Sequence, residues 1–268
     1  MLVPAPARPL VESGAAHARR YALVFGEEWR IDRKSLRRGV GPRTRAIAVG
    51  NPAEPTGALL TAEELAALDE LCGVRGLALV GDEAFLDTAS PGSDASVGRA
   101  TRCLALHVSG LSGVCGLPDL GAEWVAVAGP EPVAAPAAAR LRALSGAAAS
   151  PSPGLRALPA LLARREPFLE ALRARLARNR GAIAAAALRE APWSLQWGGG
   201  SSWAVLQINP VRDESELCLE LLDEGVAIQP GHLDGFPATG FLVVSLLPEP
   251  DVFLAGLERL ERHLRRID

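Results

Sequence analysis

Short apolar runs alternate with polar segments through the first half of the chain, as expected for strands that are buried on both faces of a parallel sheet. The four clearest runs are residues 46–49, 77–80, 104–108 and 124–128, and the weaker candidates are 2–3 and 21–25. Between the first two runs, Thr61 and Glu64 form a capping-box sequence, followed by Leu65, Leu68 and Leu71 on one helical face. Strand, helix and strand in this order predict an α/β domain.

The second half has a different pattern. Residues 131–154 are rich in Ala, Pro and Ser, which indicates a linker or the start of a connecting helix at a domain boundary. An apolar stripe then predicts a helix over 168–188. Further on, the pattern predicts strands at 203–208, 226–228 and 241–245, a helix at 214–224, and a closing helix with Phe253, Leu257, Leu260 and Leu264 on one face.

These elements predict an α/β fold. A large domain over residues 1–135 holds a mostly parallel sheet with helices on both faces, and residues 136–189 form the linker and connecting helices. A small α+β domain covers residues 190–268.

Composition narrows the possible partners and the compartment. The net charge of −3 and the isoelectric point near 5.9 favour neither nucleic acid nor an anionic membrane as a partner. No uncharged apolar run approaches the ~18–20 residues of a membrane-spanning helix, and the first residues do not resemble a signal peptide. The four cysteines lie far apart without metal-site spacing, which favours free thiols in a reducing cytoplasm.

Three polar loops follow predicted strands, at residues 51–57, 81–85 and 109–118. Ligands of open α/β sheets bind beyond the carboxyl ends of the strands, so these loops are candidates for a site. Each alone has a plain structural explanation, such as a proline-rich turn or solvated loop charges at Asp82 and Glu83. The glycines from 110 to 116 do not match a dinucleotide fingerprint, and Val114 rules out a G-x-S-x-G elbow around Ser112.

The order of the loops is more specific. The chain has N-P-x-x-P-T-G, a capped helix, an apolar strand into D-E-x-F, and a strand into S-x-L-S-x-x-x-G-L-P. This order resembles the pyridoxal-phosphate (PLP) aminotransferases of fold type I, class I/II, and the resemblance continues through 124–131, 224–232 and 241–245. It implies the PLP-transferase fold, PLP as cofactor, and a homodimer, or a heterodimer with an active paralogue.

The resemblance implies residual cofactor-binding roles for Asn51, Asp82 and Ser112. Asp82 matches the carboxylate that pairs with the pyridine nitrogen, and Ser112 matches a serine of the phosphate-binding loop. The next residue, where the family has its Schiff-base lysine, is Gly113. Lys34 is the only lysine of the chain and is expected at the start of a surface helix, far from the crevice.

Other positions depart from the family pattern in the groups that contact cofactor or substrate. The phosphate-binding arginine is replaced by Gly121, and the asparagine before P-T-G is replaced by Glu54. The list is completed by Phe85 and Arg8 in place of tyrosines, and by Val243 or Val244 in place of the carboxylate-binding arginine. We therefore expect no covalently bound PLP and no catalytic residue in this chain.

The family usually carries on the order of a hundred residues before the segment at which this sequence begins, including a glycine-rich turn at a helix N-terminus that binds the cofactor phosphate. Three hypotheses follow. The chain is a non-catalytic binding or partner subunit, or half of a split aminotransferase that acts on an amino acid and receives the missing groups from another chain. The third hypothesis is a nonfunctional fragment with an exposed sheet edge.

Overall fold

The computed structural model describes residues 1–6, 17–89, 95–148, 153–189, 191–209 and 213–267. Its larger sheet has seven strands in the order β3-β2-β1-β4-β5-β6-β7. The strands are β1 (Leu2–Ala5), β2 (Arg19–Phe25), β3 (Trp29–Ile31), β4 (Ala46–Gly50), β5 (Ala78–Asp82), β6 (Ala105–Gly110) and β7 (Glu123–Ala128). The pairs from β2 to β6 are parallel, and the edge strands β3 and β7 are antiparallel. The predicted mostly parallel α/β fold is confirmed.

The described residues of this half form three α-helices, α1 (Arg33–Gly39), α2 (Ala62–Arg75) and the short α3 (Leu111–Cys115). The predicted capping box at the start of α2 is present. The amide of Glu64 donates to Thr61 Oγ1 at 3.0 Å, and the amide of Thr61 donates to Glu64 Oε2 at 3.0 Å. The other oxygen of Glu64 accepts from the amide of Ile31, so the helix start is also tied to β3.

In the second half, the part of the chain that the structure describes contains five α-helices and a four-stranded antiparallel sheet in the order β10-β11-β9-β8. The helices are α4 (Glu131–Ala148), α5 (Pro153–Leu162), α6 (Arg165–Ala187), α7 (Glu214–Asp223) and α8 (Pro250–Ile267). The strands are β8 (Trp193–Gln196), β9 (Trp203–Ile208), β10 (Gln229–Pro230) and β11 (Phe241–Ser245).

Residues 131–148 form helix α4, in agreement with the connecting helix that was the alternative to a linker, because alanine favours a helix strongly enough to include Pro136. Residues 149–152 of this stretch lie outside the described residues. One local expectation differs from the structure. Residues 226–228 do not form a strand. Gly225, at φ 79°, closes α7, and the amide of Val226 donates back to the carbonyl of Leu221 at 2.8 Å, so Val226 belongs to the helix end.

The two sheets share one apolar core. Ile47 and Leu79 of the larger sheet belong to the same buried cluster as Val205 and Phe241 of the smaller one. At the junction the ring of Trp29 meets Phe236 edge-on at 6.0 Å between centroids. The elements assigned to two predicted domains are therefore joined by direct packing.

Asp69 on α2 fastens the segment that leads into β6. Its carboxylate accepts from the amides of Thr101, Arg102 and Cys103 at 2.9–3.2 Å. Burial acts to raise the pKa of Asp69, but these hydrogen bonds outweigh it and hold the pKa below its usual value.

Replacing Asp69 with asparagine should lower the free energy of unfolding by about 1–3 kcal/mol at pH 7, because the charged acceptor for three backbone amides, of which that of Cys103 is buried, is lost. A carboxyl with a lowered pKa stabilises the fold above its unfolded pKa near 4, and this stabilisation is lost as pH falls through the folded pKa. Urea titrations should therefore show the gap to wild type shrinking below pH 4, whereas the exposed Asp119→Asn control should change little at any pH.

Strand β7 leaves one backbone edge of the larger sheet open. The amide of Leu111 donates to the carbonyl of Ala122 at 2.9 Å. In an antiparallel pair every second residue is hydrogen-bonded to the partner strand, so this bond shows which residues of β7 bond to β6 and which do not. By that alternation the N–H and C=O groups of Glu123, Val125 and Val127 point away from β6. Among the described residues no strand pairs with them, and Val125 is 44% exposed.

Candidate functional site

The three predicted residues Asn51, Asp82 and Ser112 lie at one edge of the larger sheet. The register pairs Gly50 with Asp82 and Asp82 with Val108, so β4, β5 and β6 end side by side. The amide of Asn51 donates to the carbonyl of Asp82 at 2.8 Å. Ser112 lies in α3, which starts directly after β6.

Asn51 is fully buried, and its side chain is used within the chain. Its amide nitrogen donates to Glu83 Oε1 at 2.8 Å and to the carbonyl of Ala95 at 2.6 Å. Its carbonyl oxygen accepts from the amide of Leu60 at 3.1 Å. Both amide hydrogens are thus donated to protein atoms, and these contacts give Asn51 a structural role in holding three turns together.

Glu83 is the centre of a buried polar network that sequence inspection treated as a loop charge. Only 2% exposed, it accepts from Asn51, from Ser96 Oγ at 2.6 Å and from the amide of Val97 at 3.0 Å, and it pairs with His107 Nδ1. Burial acts to raise the pKa of Glu83, but the hydrogen bonds from these groups hold it below its usual value. The hydrogen bond to Glu83 raises the pKa of His107. Both shifts favour the charged pair, with Glu83 as carboxylate and His107 as imidazolium.

Asp82 points to the opposite face of the sheet from this network. Gly81 faces Val97, since an added Cβ there would lie 2.5 Å from Val97 Cγ2, and successive residues of a strand alternate between faces. Burial, aided by the nearby charge of Glu83, raises the pKa of Asp82, and the amide of Ala84 at 3.3 Å offsets this in part. In the described structure Asp82 has no cationic partner, so it remains available to a ligand.

Gly113 has no space for a side chain. An ideal Cβ at this position would overlap the carbonyl oxygen of Ala84, and it would lie 2.5 Å from the carbonyl carbon and 3.3 Å from the amide nitrogen of Phe85. These are backbone atoms of the turn that follows β5, so they cannot yield as a flexible side chain would. The turn after β5 therefore occupies the position that any side chain at residue 113 would need.

The remaining predicted substitutions lie in several environments. Gly121 adopts φ 57°, a left-handed conformation that suits glycine. Val243 is fully buried and Val244 is 9% exposed, both within apolar clusters of the smaller sheet. Phe85 lies between Asp82 and the 3₁₀ turn Leu86–Thr88, and Arg8 lies outside the described residues.

Lys34 is far from Gly113. It is exposed at the start of α1, as expected, and the next residue, Ser35, accepts from the amide of Ala22 on β2. Four strand spacings separate β2 from β6 in the sheet order, or ~19 Å at ~4.8 Å each. The Lys34 amine cannot span that distance.

A second polar cluster at this edge was not anticipated from the sequence. Ser201 Oγ donates to Glu54 Oε1 at 2.8 Å, and the guanidinium of Arg180 donates to the carbonyl of Ser201 at 2.6 Å. Arg180 also lies 5.6 Å from the ring centroid of Trp197. Burial lowers the pKa of Arg180, and the charge of Glu54 opposes that shift.

In this cluster the charge of Arg180 and the hydroxyl of Ser201 stabilise the carboxylate of Glu54. Glu54 stands where the resemblance implies an asparagine that contacts the cofactor. Arg180 lies on the buried face of α6 between Leu176 and Ile183. Its position in the helical repeat could therefore have indicated from the sequence that Arg180 is buried. Its partner Glu54 is 126 positions earlier in the chain, and no local pattern links the two.

Within the described ranges, no three or more His, Cys, Asp or Glu side chains are arranged to hold a metal ion. The helices described also include none that is long and apolar enough to cross a bilayer.

Comparisons with known proteins agree with the geometry. The sequence model of the family described as aminotransferase class I and II matches residues 5–252. The probable N-succinyldiaminopimelate aminotransferase DapC of Mycobacterium tuberculosis is 41% identical over 78 residues, which are 29% of this chain and 20% of that protein. The glutamate-pyruvate aminotransferase AlaA of Escherichia coli K12 is 31% identical over 139 residues, 49% of this chain and 34% of that protein. The chain thus aligns with only a fifth to a third of these curated relatives.

Solved structures extend the similarity to the whole fold. An alanine aminotransferase from Pyrococcus furiosus superposes with a TM-score of 0.88 at 23% identity, covering 99% of this chain and 70% of that one. The N-succinyldiaminopimelate aminotransferase of Mycobacterium tuberculosis superposes with a TM-score of 0.79 at 26% identity, covering 98% and 71%. Because the family match spans most of the chain and the loops meet at the sheet edge in the family order, this protein belongs to the PLP-dependent aminotransferase class I and II family.

Proposed function

We propose that this chain is a non-catalytic member of its family that does not hold PLP covalently and acts as a binding or partner subunit. The observation that carries the proposal is the closed space at Gly113. Covalent attachment of PLP needs a lysine amine, and here the residue has no side chain while the carbonyl of Ala84 blocks the path of any Cβ. The residues present therefore do not fit covalently bound PLP.

Two further positions support this proposal. Gly121 provides no guanidinium for a phosphate, and losing one charge-assisted contact of this kind weakens binding by roughly 1.5–3 kcal/mol. Val243 and Val244 are packed in the core of the smaller sheet, where a carboxylate-binding arginine would be expected. Asp82 and Ser112 keep the residue that the resemblance expects, and both are half-buried.

Positions that shape the backbone, in contrast, match the family. Gly57 adopts φ 71°, and an added Cβ there would lie 3.0 Å from the amide of Ser201. Gly116 adopts φ 66° against the ring of Phe168. Thr56 is buried and donates to the carbonyl of Ala53 at 3.0 Å. Random decay would affect scaffold and chemistry alike, so selective retention of scaffold residues favours a protein that must still fold.

The second candidate is half of a split aminotransferase. The open backbone edge of β7 favours it, since the N–H and C=O groups of Glu123, Val125 and Val127 could pair with a strand of another chain. Such an enzyme would need the other chain to supply the lysine and would need the Ala84 turn to move. Adding a second chain that supplies the lysine separates the two candidates, because only the second allows turnover in its presence.

Purified protein incubated with PLP should show no PLP absorbance after dialysis, and borohydride reduction should leave no PLP on the protein by peptide mass spectrometry. The Mycobacterium N-succinyldiaminopimelate aminotransferase serves as the positive control. Gly113→Lys should not restore attachment, because its Cβ meets the same carbonyl of Ala84. PLP trapped on Lys34 with amino-acid turnover, or trapped at position 113 of the Gly113→Lys variant with turnover, would overturn the proposal.

A further inference from the structure

A groove with three arginines at its rim lies between helices α1 and α2, which contact β2 and β5 of the larger sheet. It encloses about 410 Å³, within the range of roughly 300–1,000 Å³ typical of sites that enclose apolar groups. Its floor is Leu36 and Leu68, both buried, and Leu71 lines its wall. Val74, at the same wall, is 78% exposed, so the groove presents apolar surface to solvent.

The rim of the groove carries uncompensated positive charge. Arg33, Arg37 and Arg75 line it, and of these only Arg33 has an ion pair in the described structure, with Glu63 at 2.8 Å. Residues 33–45 contain six basic and no acidic residues, although the whole chain has a net charge of −3. Two carboxylates also line the groove: the buried Glu64 is already used by the capping box and by Ile31, and the exposed Glu70 is paired with Arg102 at 3.9 Å.

Helix α7 has the complementary surface. Leu219 is 63% exposed and Leu222 is 55% exposed, three residues apart and therefore on one face. Glu216 and Asp223 are exposed beside them and have no ion pair among the described residues. The ten-residue α7 is ~15 Å long, between the ~11 Å of the seven-residue α1 and the ~21 Å of the 14-residue α2, so α7 would lie along α2 and extend past the end of α1.

We infer that α7 of one copy of this chain docks in the α1–α2 groove of a second copy. Leu219 and Leu222 would cover the apolar floor, with Glu216 and Asp223 against Arg37 and Arg75, as in other helix-in-groove complexes. An anionic polymer would pair with the arginines but leave the apolar floor uncovered. A membrane needs several apolar side chains that protrude, whereas here Val74 protrudes alone and the leucines line a depression. The inference does not depend on whether the chain is catalytic.

The contact is head-to-tail, because it joins two different surfaces of the chain. Each surface can therefore be disrupted in a separate variant, and the two variants can then be mixed. Wild-type protein should self-associate with rising concentration in sedimentation velocity, and added salt should weaken the association. The groove variant Arg37→Glu/Arg75→Glu and the helix variant Leu219→Asp/Leu222→Asp should each associate at least tenfold more weakly. Mixed together, the two variants should form a one-to-one complex and nothing larger, because only one intact groove and one intact helix remain.

Matched surface controls are Arg262→Glu on α8 and Leu188→Asp after α6, which should leave association unchanged. All substituted side chains are exposed, and circular dichroism should show native folds. A wild-type monomer at all concentrations, variants that associate normally, or a mixture that forms no complex would each overturn the inference. Binding of a DNA duplex or of phosphatidylserine vesicles, lost in the groove variant and without self-association, would also overturn it.

Discussion

Replacing Gly113 with alanine should lower the free energy of unfolding by about 3 kcal/mol or more, the upper part of the range for overpacking. The added methyl group would overlap the carbonyl oxygen of Ala84, and the turn after β5 would have to move. That turn holds Asp82 and Glu83, so the displacement would disturb both faces of the sheet edge. Urea unfolding followed by circular dichroism measures the effect.

The matched control is Gly256→Ala in α8, another helical glycine. Nothing lies within 4 Å of a Cβ at Gly256, so the change should raise stability by about 0.5–1 kcal/mol through helix propensity alone. The free energy of unfolding should therefore fall in Gly113→Ala and rise in Gly256→Ala. A Gly113→Ala protein as stable as wild type would mean that the crevice opens easily, and the main support for a non-catalytic role would then be lost.

Replacing Glu83 with glutamine should destabilise the protein by roughly 3 kcal/mol at pH 6, because a buried charged pair loses one partner. The lowered pKa of Glu83 gives stability above about pH 4.5 that is lost as pH falls. The raised pKa of His107 gives stability that is complete below about pH 6.5 and is lost as pH rises through the folded pKa. The pair therefore contributes most between these limits.

The cost of Glu83→Gln should consequently be smaller at pH 9, where a neutral His107 can accept from the new amide. A double-mutant cycle with His107→Ala isolates the pair, and its coupling free energy should fall from pH 6 to pH 9. Equal coupling at both pH values would show that His107 does not titrate between pH 6 and pH 9 in the folded protein. Substituting Asp82, which lies on the other face and has no cationic partner in the described structure, should give no such coupling to His107.

Local patterns in the sequence were sufficient for much of the fold. The apolar runs marked the central strands β4, β5 and β6, and Thr61 with Glu64 marked the start of α2, because these signals depend on neighbours within a few residues. The same runs could not show that β7 is antiparallel, since a strand buried among neighbours has the same composition in either direction. Val226 was assigned to a strand because its role in the end of α7 depends on the conformation of Gly225.

For the candidate site, too, some features follow from the sequence and others only from the tertiary structure. The sequence alone determined that the lysine position holds Gly113 and that Asp82 and Ser112 end apolar strands, because residue identity and order carry that information. Only the tertiary structure decided that the carbonyl of Ala84 fills the space at Gly113, that Asn51 and His107 meet Glu83, and that Arg180 balances Glu54. These contacts join residues from tens to more than a hundred positions apart, and they exist only once the strands and α6 are packed together. Their physical basis is close packing and the need to satisfy buried charge, and neither is expressed in any short stretch of the chain.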